Sequence, residues 1–413
     1  MMRLAGGAGA DVNEDARTLI VGGGLAGSAV AMHLAEMGED GVVVVDPDLA
    51  GARSSSELNA GGVRATWWRP VNVELCAATI DFMARHRDEL GFRERGYLWL
   101  HGPGRWPEAV RHVEMQNRHG REVEVLSPAE LARRWPFIDN LDGVAGATFS
   151  PHDGIVSPNA VREHMRARAR AAGARFVDRR LVVGMRRSGR RLTAAELLVV
   201  EDGDSAAAAL EGRPADGPVE VAGCERVVNA AGPWAAPVAE LMGAPVPCRA
   251  VRRQLCLVAS RDVDLSPYGM IVDTSDCYFH HEADGMILAG YSPPGDPPGY
   301  RFDYDGRAFF EREVWPRLAN RIGAFDRLEH VRGWAGLYEL SPDHSALIGA
   351  VDGLDNAYEM HSFSGRGVMQ SYAAGLCLAE LIATGAHRTH PSAAALAGSR
   401  FDGGTLQPEE LHI

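Results

Sequence analysis

The apolar pattern begins with TLIV at 18–21, breaks into three consecutive glycines, and resumes as a helix of small apolar residues ending near Gly38. An unbroken VVVVD follows and ends at Asp46. Strand, glycine turn, helix and second strand make a βαβ opening. Further along, SPNAVREHMRARARAAGARFV at 157–177 predicts a helix with proline in its first turn, a stop at Gly173 and another strand.

Between these blocks, GYLWL at 96–100 and a helix-like stretch over 107–119 interrupt the parallel pattern and start a second domain. QLCLVAS, GMIVD, CYFHH and MILAGY, between 246 and 291, are β-rich runs separated by proline, aspartate and glycine, which predicts an antiparallel sheet. The Ala/Gly/acid-rich 201–217 reads as a surface loop or hairpin tip. Residues 1–17 read as a flexible start and 396–413 as a surface tail. The expected division is 18–95, 151–243 and 331–395 for a nucleotide-binding domain, and 96–150 and 244–330 for a substrate domain.

A length of 413 residues suits two closely packed domains able to bury a large cofactor. The net charge of -13 argues against a nucleic-acid partner and for a small-molecule ligand. No apolar run reaches membrane-spanning length. Six scattered cysteines without a CxxC pair suggest neither a metal cluster nor a disulfide framework, and fit the cytoplasm; no metal site is expected. All 42 basic residues are arginine, because the sequence contains no lysine.

GGGLAG places Gly22, Gly24 and Gly27 in GxGxxG spacing directly between strand and helix. The first two glycines permit a tight turn and close approach to a pyrophosphate, the third lets helix and strand pack, and the helix N-terminus favours phosphate charge. Asp46, ending the next strand, stands where a ribose hydroxyl acceptor is needed. VVNAAGPWA at 227–235 runs a strand into a small-residue turn, and HSFSGRGVMQSYAAGLCLAELI at 361–382 places glycines before a long helix. These motifs leave NAD and FAD both open.

Taken in order, GGGLAG, SSSELNAGGVR, VVNAAGPWA, GWAGLYELSPDHSALIG and FSGRGVMQ resemble the D-amino-acid-oxidase superfamily of FAD enzymes. The likeness is to the branch holding sarcosine oxidases, dimethylglycine dehydrogenase and amino-acid dehydrogenase beta subunits. It implies an α/β fold, α+β overall, in which a discontinuous Rossmann-type FAD domain interleaves with an antiparallel-sheet substrate domain. It also implies FAD contacts from Leu25 and Ala26 beside the glycines, and from Arg53, Ser54, Ser55, Asn59, Ala60, Gly61 and Gly62 along the pyrophosphate and ring. Val182, Ala231, Gly232, Trp234, Gly336 and Leu337 join them, and Ser364, Gly365, Arg366, Gly367, Val368 and Met369 fall near the pyrimidine edge. A helix N-terminus there would stabilise the charge a reduced flavin acquires.

Departures from the family pattern sharpen the expectation. Gly336 and the SSSELN run stand where relatives carry a cysteine or histidine tether, which implies non-covalent FAD. The oxygen-activating lysine of sarcosine oxidases is matched by Leu288, so an acceptor other than oxygen carries comparable weight. Arg64 matches the carboxylate-binding arginine, but Met369 stands where its lysine partner would be. Tyr338 replaces the arginine of glycine and D-amino-acid oxidases.

On the CYFHHE strand, alternation puts Tyr278 and His280 on one face. Arg64, Tyr278, His280 and Tyr338 are therefore the catalytic candidates. Asp343 and His344 read as structural, and Trp67 and Trp68 as either an aromatic wall or packing.

The expected activity is oxidation of the carbon next to nitrogen in an amine or amino-acid-like substrate, such as a secondary amine, an N-methyl amino acid or a cyclic imino acid, by hydride transfer to flavin N5. Oxygen or another acceptor would take the electrons. The rival expectations are a D-amino-acid dehydrogenase, an FAD-binding assembly protein with little turnover, and an NAD dehydrogenase.

Overall fold

The computed structural model describes residues 16–403 and 406–411. Most of the expected flexible start lies outside these residues, and Ala16 and Arg17 already belong to the first strand, Ala16–Val21. That strand runs parallel to Val42–Val45 on one side and Val219–Asn229 on the other. Arg175–Val177 extends the sheet beyond Val42–Val45, while Ala357–His361 and then antiparallel Leu347–Ala350 extend it beyond Val219–Asn229. Leu19, Ile20 and Val42 through Val45 are all buried, because both faces of the sheet are covered, and this is why these strands read as unbroken apolar runs.

On one face, helix Leu25–Glu36 packs against Pro158–Ala171 and Gly367–Thr384. The crossing with Gly367–Thr384 is close enough that a Cβ on Gly375 would meet the Ala29 Cβ at 2.6 Å. A glycine is needed at that contact. The hairpin Arg180–Ser188 and Arg191–Val199 pairs with the outer part of Val219–Asn229.

Among the described residues the second sheet has the strand order Glu329–Leu340, Arg249–Ala259, Met286–Tyr291, Tyr278–His281, Met270–Val272, Tyr97–His101, Gly146–Ser150, Glu124–Leu126. It is antiparallel except where Met270–Val272 runs parallel to Tyr97–His101. Strand alternation divides its two faces. Cys256, Phe279, Ile287 and Ala289 face a core closed by Phe310, Val314 and Leu318, whereas Leu255, Met270, Tyr278 and Leu288 form a separate cluster towards the first sheet.

Three expectations change. The 331–340 stretch, assigned to the nucleotide domain, is an edge strand of the second sheet, antiparallel to Arg249–Ala259. The supposed loop at 201–217 contains the helix Gly203–Leu210, started by the Asp202 side chain, which accepts from Ser205 N at 2.8 Å, and carried by an alanine run. The tail lies on the surface only in part, with 406–408 and Glu410 exposed. Glu409 and Leu411 are both buried against the loop that follows Arg64.

Candidate functional site

One elongated cavity runs from the glycine turn after the first strand to the inner face of the second sheet. Of the anticipated residues, Gly22, Gly24, Leu25, Ala26, Asp46, Arg53, Ser54, Ser55, Asn59, Ala60 and Gly62 line it. So do Val182, Ala231, Gly232, Trp234, Gly336, Leu337, Ser364, Gly365, Gly367, Val368 and Met369, together with Arg64, Tyr278 and Tyr338. Gly27, Gly61, Arg366 and His280 do not line it.

Gly27 lies behind the wall, and its work is steric: a Cβ there would sit 1.8 Å from the Gly22 carbonyl oxygen. Gly22 itself has φ +103°, and a Cβ on it would strike the Ala230 carbonyl oxygen at 2.4 Å. At Gly24 a Cβ would fill the space in front of Ser56 Oγ, 3.2 Å away. Ser56 Oγ accepts from Leu25 N at 3.0 Å, so the Ser54–Ser56 turn lies against the helix N-terminus. Asp46 accepts from Gly23 N at 2.6 Å and from Asp48 N at 2.7 Å, which fixes its carboxylate at the cavity edge. Burial raises its pKa, while the two backbone donors and Arg166 oppose that rise.

The two sheets are stitched together across the middle of the cavity. Ser55 Oγ donates to the Leu337 carbonyl at 2.6 Å, and Trp334 Nε1 donates to the Leu58 carbonyl at 3.1 Å. Opposite, Ser362, Ser364 and Gly365 all adopt positive φ (57°, 50° and 91°). Such conformations cost on the order of 1–3 kcal/mol each at non-glycine residues and persist only where surrounding bonds hold them. Glu339 supplies those bonds: Ser364 N donates to its carbonyl at 3.0 Å, and Phe363 N to Oε1 at 3.3 Å. Glu339 lines the cavity, and its buried Oε2 has no hydrogen-bond partner among the described residues. Burial pushes this carboxyl up to about 7.

At the far end the wall becomes aromatic, with Trp67, Tyr97, Tyr278 and Tyr338. Burial raises the pKa of all three phenols, so they stay protonated and serve as donors, not bases. Arg64 is 1% exposed, lies 3.5 Å over the Trp67 ring, and gives Nη1 to the Thr66 carbonyl and Nη2 to the Leu411 carbonyl. His280 shares Tyr278's face of the strand but lies deeper. Its two ring nitrogens sit 2.9 Å from the His281 carbonyl and 3.0 Å from the Ala60 carbonyl, so it shapes the loop and does not reach the cavity.

Arg366 points away as well. Its backbone caps the helix Gly367–Thr384, while its fully buried guanidinium lies 4.5 Å over Trp67 with no hydrogen-bond partner among the described residues, and desolvation lowers its pKa to about 10. Gly61, at φ +76°, turns the loop tightly against the Val156 carbonyl.

Sequence reading missed Arg253, Tyr97, Glu339 and Leu210, all of which line the cavity. Arg253 was recoverable from period two, since it shares a strand face with Leu255. Leu210 follows from the Asp202 cap. Trp67 is part of the wall, whereas Trp68 stacks on His112 at 4.9 Å. Asp343 is taken up by Arg69 and Arg400 and stays structural. His86, Glu89 and His164 converge within 4.8 Å as potential metal ligands, yet none lines the cavity.

A long cavity with a helix N-terminus and a carboxylate at one end, lined by protonated phenols at the other, has the donor set that FAD requires. Among the described residues no helix is long and apolar enough to cross a membrane.

Comparison with known proteins agrees. FAD-dependent oxidoreductase domain-containing protein 1 from Bos taurus is 30% identical, over 91% of this chain and 83% of its own length. Human mitochondrial sarcosine dehydrogenase is 26% identical, over 92% of this chain and 41% of the longer relative. The fold of L-proline dehydrogenase from P. horikoshii matches with a TM-score of 0.82 at 23% identity, covering 95% of this chain and 99% of that one. The family model of DAO, the FAD-dependent oxidoreductases, matches residues 17–381, and the chain belongs to that family.

Proposed function

We propose that this enzyme oxidises the carbon next to nitrogen in a secondary amine, an N-methyl amino acid or a cyclic imino acid. FAD, when bound, supplies the hydride acceptor. The observation that carries the reading is the far end of the cavity, where protonated phenols, Trp67 and arginine side chains share one wall. Tyr278 and Tyr338 would orient the substrate and exclude water, while the buried Arg64, held on the Thr66 and Leu411 carbonyls, would brace the wall behind them. His280 would hold the Ala60 carbonyl, and with it the loop beneath the substrate.

No side chain on this wall is poised as a strong base, so the amine has to arrive neutral and the rate should rise with pH through the amine's own pKa. The relatives include proteins named for N-methyl substrates, 4-methylaminobutanoate oxidase and sarcosine dehydrogenase, which supports this substrate class.

Among the described residues no cysteine or histidine lines the cavity, which supports non-covalent FAD. The first sheet with its helices would hold the nucleotide and the second sheet the substrate. Six free cysteines support a reducing compartment such as the cytoplasm. Oxygen or another acceptor would reoxidise the flavin.

The test is anaerobic addition of N-methyl amino acids, proline-like imino acids and larger secondary amines to the holoenzyme. Bleaching of the flavin absorbance by at least one class is expected, and admission of oxygen then separates oxidase from dehydrogenase. A flavin that no amine reduces would leave an FAD-binding protein with a partner role instead.

A further inference from the structure

The arginine expected to bind a substrate anion is already engaged. Arg64 Nη2 donates at 2.7 Å to the Leu411 carbonyl, and Nη1 at 2.8 Å to the Thr66 carbonyl. The Leu411 contact is built, not incidental. Glu409 is 0% exposed and accepts from Trp68 N, Arg69 N and Asn72 Nδ2, each at 3.0 Å. It also accepts from Leu411 N at 3.2 Å, and its own N–H donates to the Asp343 carbonyl at 2.9 Å. The Leu411 side chain packs in the cluster behind the cavity wall with Tyr97, Met270 and Tyr278. The 406–411 segment is thus a strap, anchored by a buried carboxylate, that presents one carbonyl to Arg64.

Arg253 is placed differently. Its neighbour Arg252 alternates to the other side of the strand and is consumed by Asp303 and Asp305. Arg253 lines the cavity, forms no salt bridge among the described residues, and has only Nη1 engaged, on the Arg252 carbonyl at 2.9 Å. Its buried Nε has no hydrogen-bond partner among the described residues, and its guanidinium lies 5.4 Å over the Tyr338 ring. Nη2 also has no hydrogen-bond partner among the described residues but, unlike Nε, is not buried, so it is the N–H that an incoming carboxylate can take with a charge-assisted bond.

We propose that Arg253, with Tyr338 beneath it, is the subsite for a substrate carboxylate, and that the strap sets this specificity by withdrawing Arg64. The inference rests on reading this end of the cavity as the substrate pocket. An anion would therefore lie against the Arg249–Ala259 strand instead of the Arg64 loop. Such a position suits a substrate whose carboxylate and reacting carbon are related differently from those of a substrate held by Arg64.

The test measures binding, not turnover. Propanoate and the uncharged propanamide are titrated into the FAD holoenzyme and followed by perturbation of the flavin spectrum, with thermal melting as a check on folding. Arg253→Met is expected to weaken propanoate by about tenfold or more and propanamide by less than about twofold, since it removes a charge-assisted bond. Arg64→Met should change propanoate affinity by less than about threefold, because that guanidinium is already occupied.

Glu409→Ala, which frees the strap, should tighten propanoate several-fold and make that gain sensitive to Arg64→Met. If either Arg64→Met or Glu409→Ala fails to fold, amide exchange at Trp68 and Arg69 replaces it: protection unchanged by propanoate supports a strap that stays closed. A wild-type enzyme blind to propanoate, an Arg253→Met variant that binds it normally, or protection lost when it binds would each overturn the proposal. An enzyme that no amine reduces but that shows this carboxylate pattern would lose only the proposed reaction.

Discussion

The two ends of the cavity are made of different materials. At the glycine turn the wall is mostly backbone: an added carbon atom on Gly22 would meet the Ala230 carbonyl, and one on Gly24 would crowd the Ser56 hydroxyl. At the second sheet the wall is side chain, with Trp67, Tyr97, Arg253, Tyr278 and Tyr338 converging from strands and loops far apart in sequence. Backbone contacts can hold a fixed cofactor across many relatives because they do not depend on side-chain identity. Side-chain contacts can be exchanged singly, and that is where a member of this family acquires its own substrate.

The largest effect should come from breaking the backbone end. Gly27→Ala would place a methyl 1.8 Å from the Gly22 oxygen, a contact that only movement of the glycine turn can relieve. We expect FAD affinity to fall on the order of 1,000-fold, about 4 kcal/mol, as the turn opens. Purification without a yellow chromophore, and a melting temperature no longer raised by added FAD, would show this. A variant that retains FAD at wild-type stoichiometry would mean the turn is more yielding than its packing indicates.

A smaller effect is expected where the two ends meet, at Glu339. Its pKa is raised by burial from an ordinary 4.5 to about 7, so between these values the folded state holds a proton that the unfolded state has released. Stability contributed by this group is therefore greatest at low pH and falls as pH rises from about 4.5 to 7, by up to roughly 3 kcal/mol. Glu339→Gln should flatten that part of the apoprotein's stability profile, measured by denaturant unfolding between pH 4.5 and 8. Equal slopes in the two proteins would remove Glu339 as the cause. An anionic dinucleotide should also bind the wild type more weakly above pH 7 than below, and the variant equally well at both.

The contrast between the ends also explains what could be read in the sequence. GGGLAG, Asp46, the 54–62 turn, Ala231–Gly232 and the 364–369 helix start were legible because glycine spacing and strand ends report backbone geometry directly. Arg366 was misplaced for the same reason: the motif locates its backbone, and the side chain turned away to Trp67. Tyr278 was legible from alternation, while His280, on the same face, was too deep to reach the cavity. The helix at Gly203–Leu210 was hidden by its composition, with the Asp202 cap as its one local signal. Nothing local marks Glu409, because an acid near the chain's end reads as solvated until the fold brings two backbone N–H groups and Asn72 to it.

The smallest expected effect tests whether side chains matter at all at the backbone end. Arg53 lines the cavity and pairs with Glu211 at 2.7 Å, but its side chain is 35% exposed, and it lies 5.0 Å over Phe302. An ion pair so open to solvent contributes less than about 1 kcal/mol. Arg53→Ala should thus lower FAD affinity by no more than about fivefold, and the difference should shrink as salt is raised and the charge is screened. Equilibrium titration of apoprotein with FAD at low and high ionic strength measures both. A loss of a hundredfold that salt does not reduce would mean that the nucleotide end depends on a side chain after all, and the division between a backbone end and a side-chain end would have to be redrawn at Arg53.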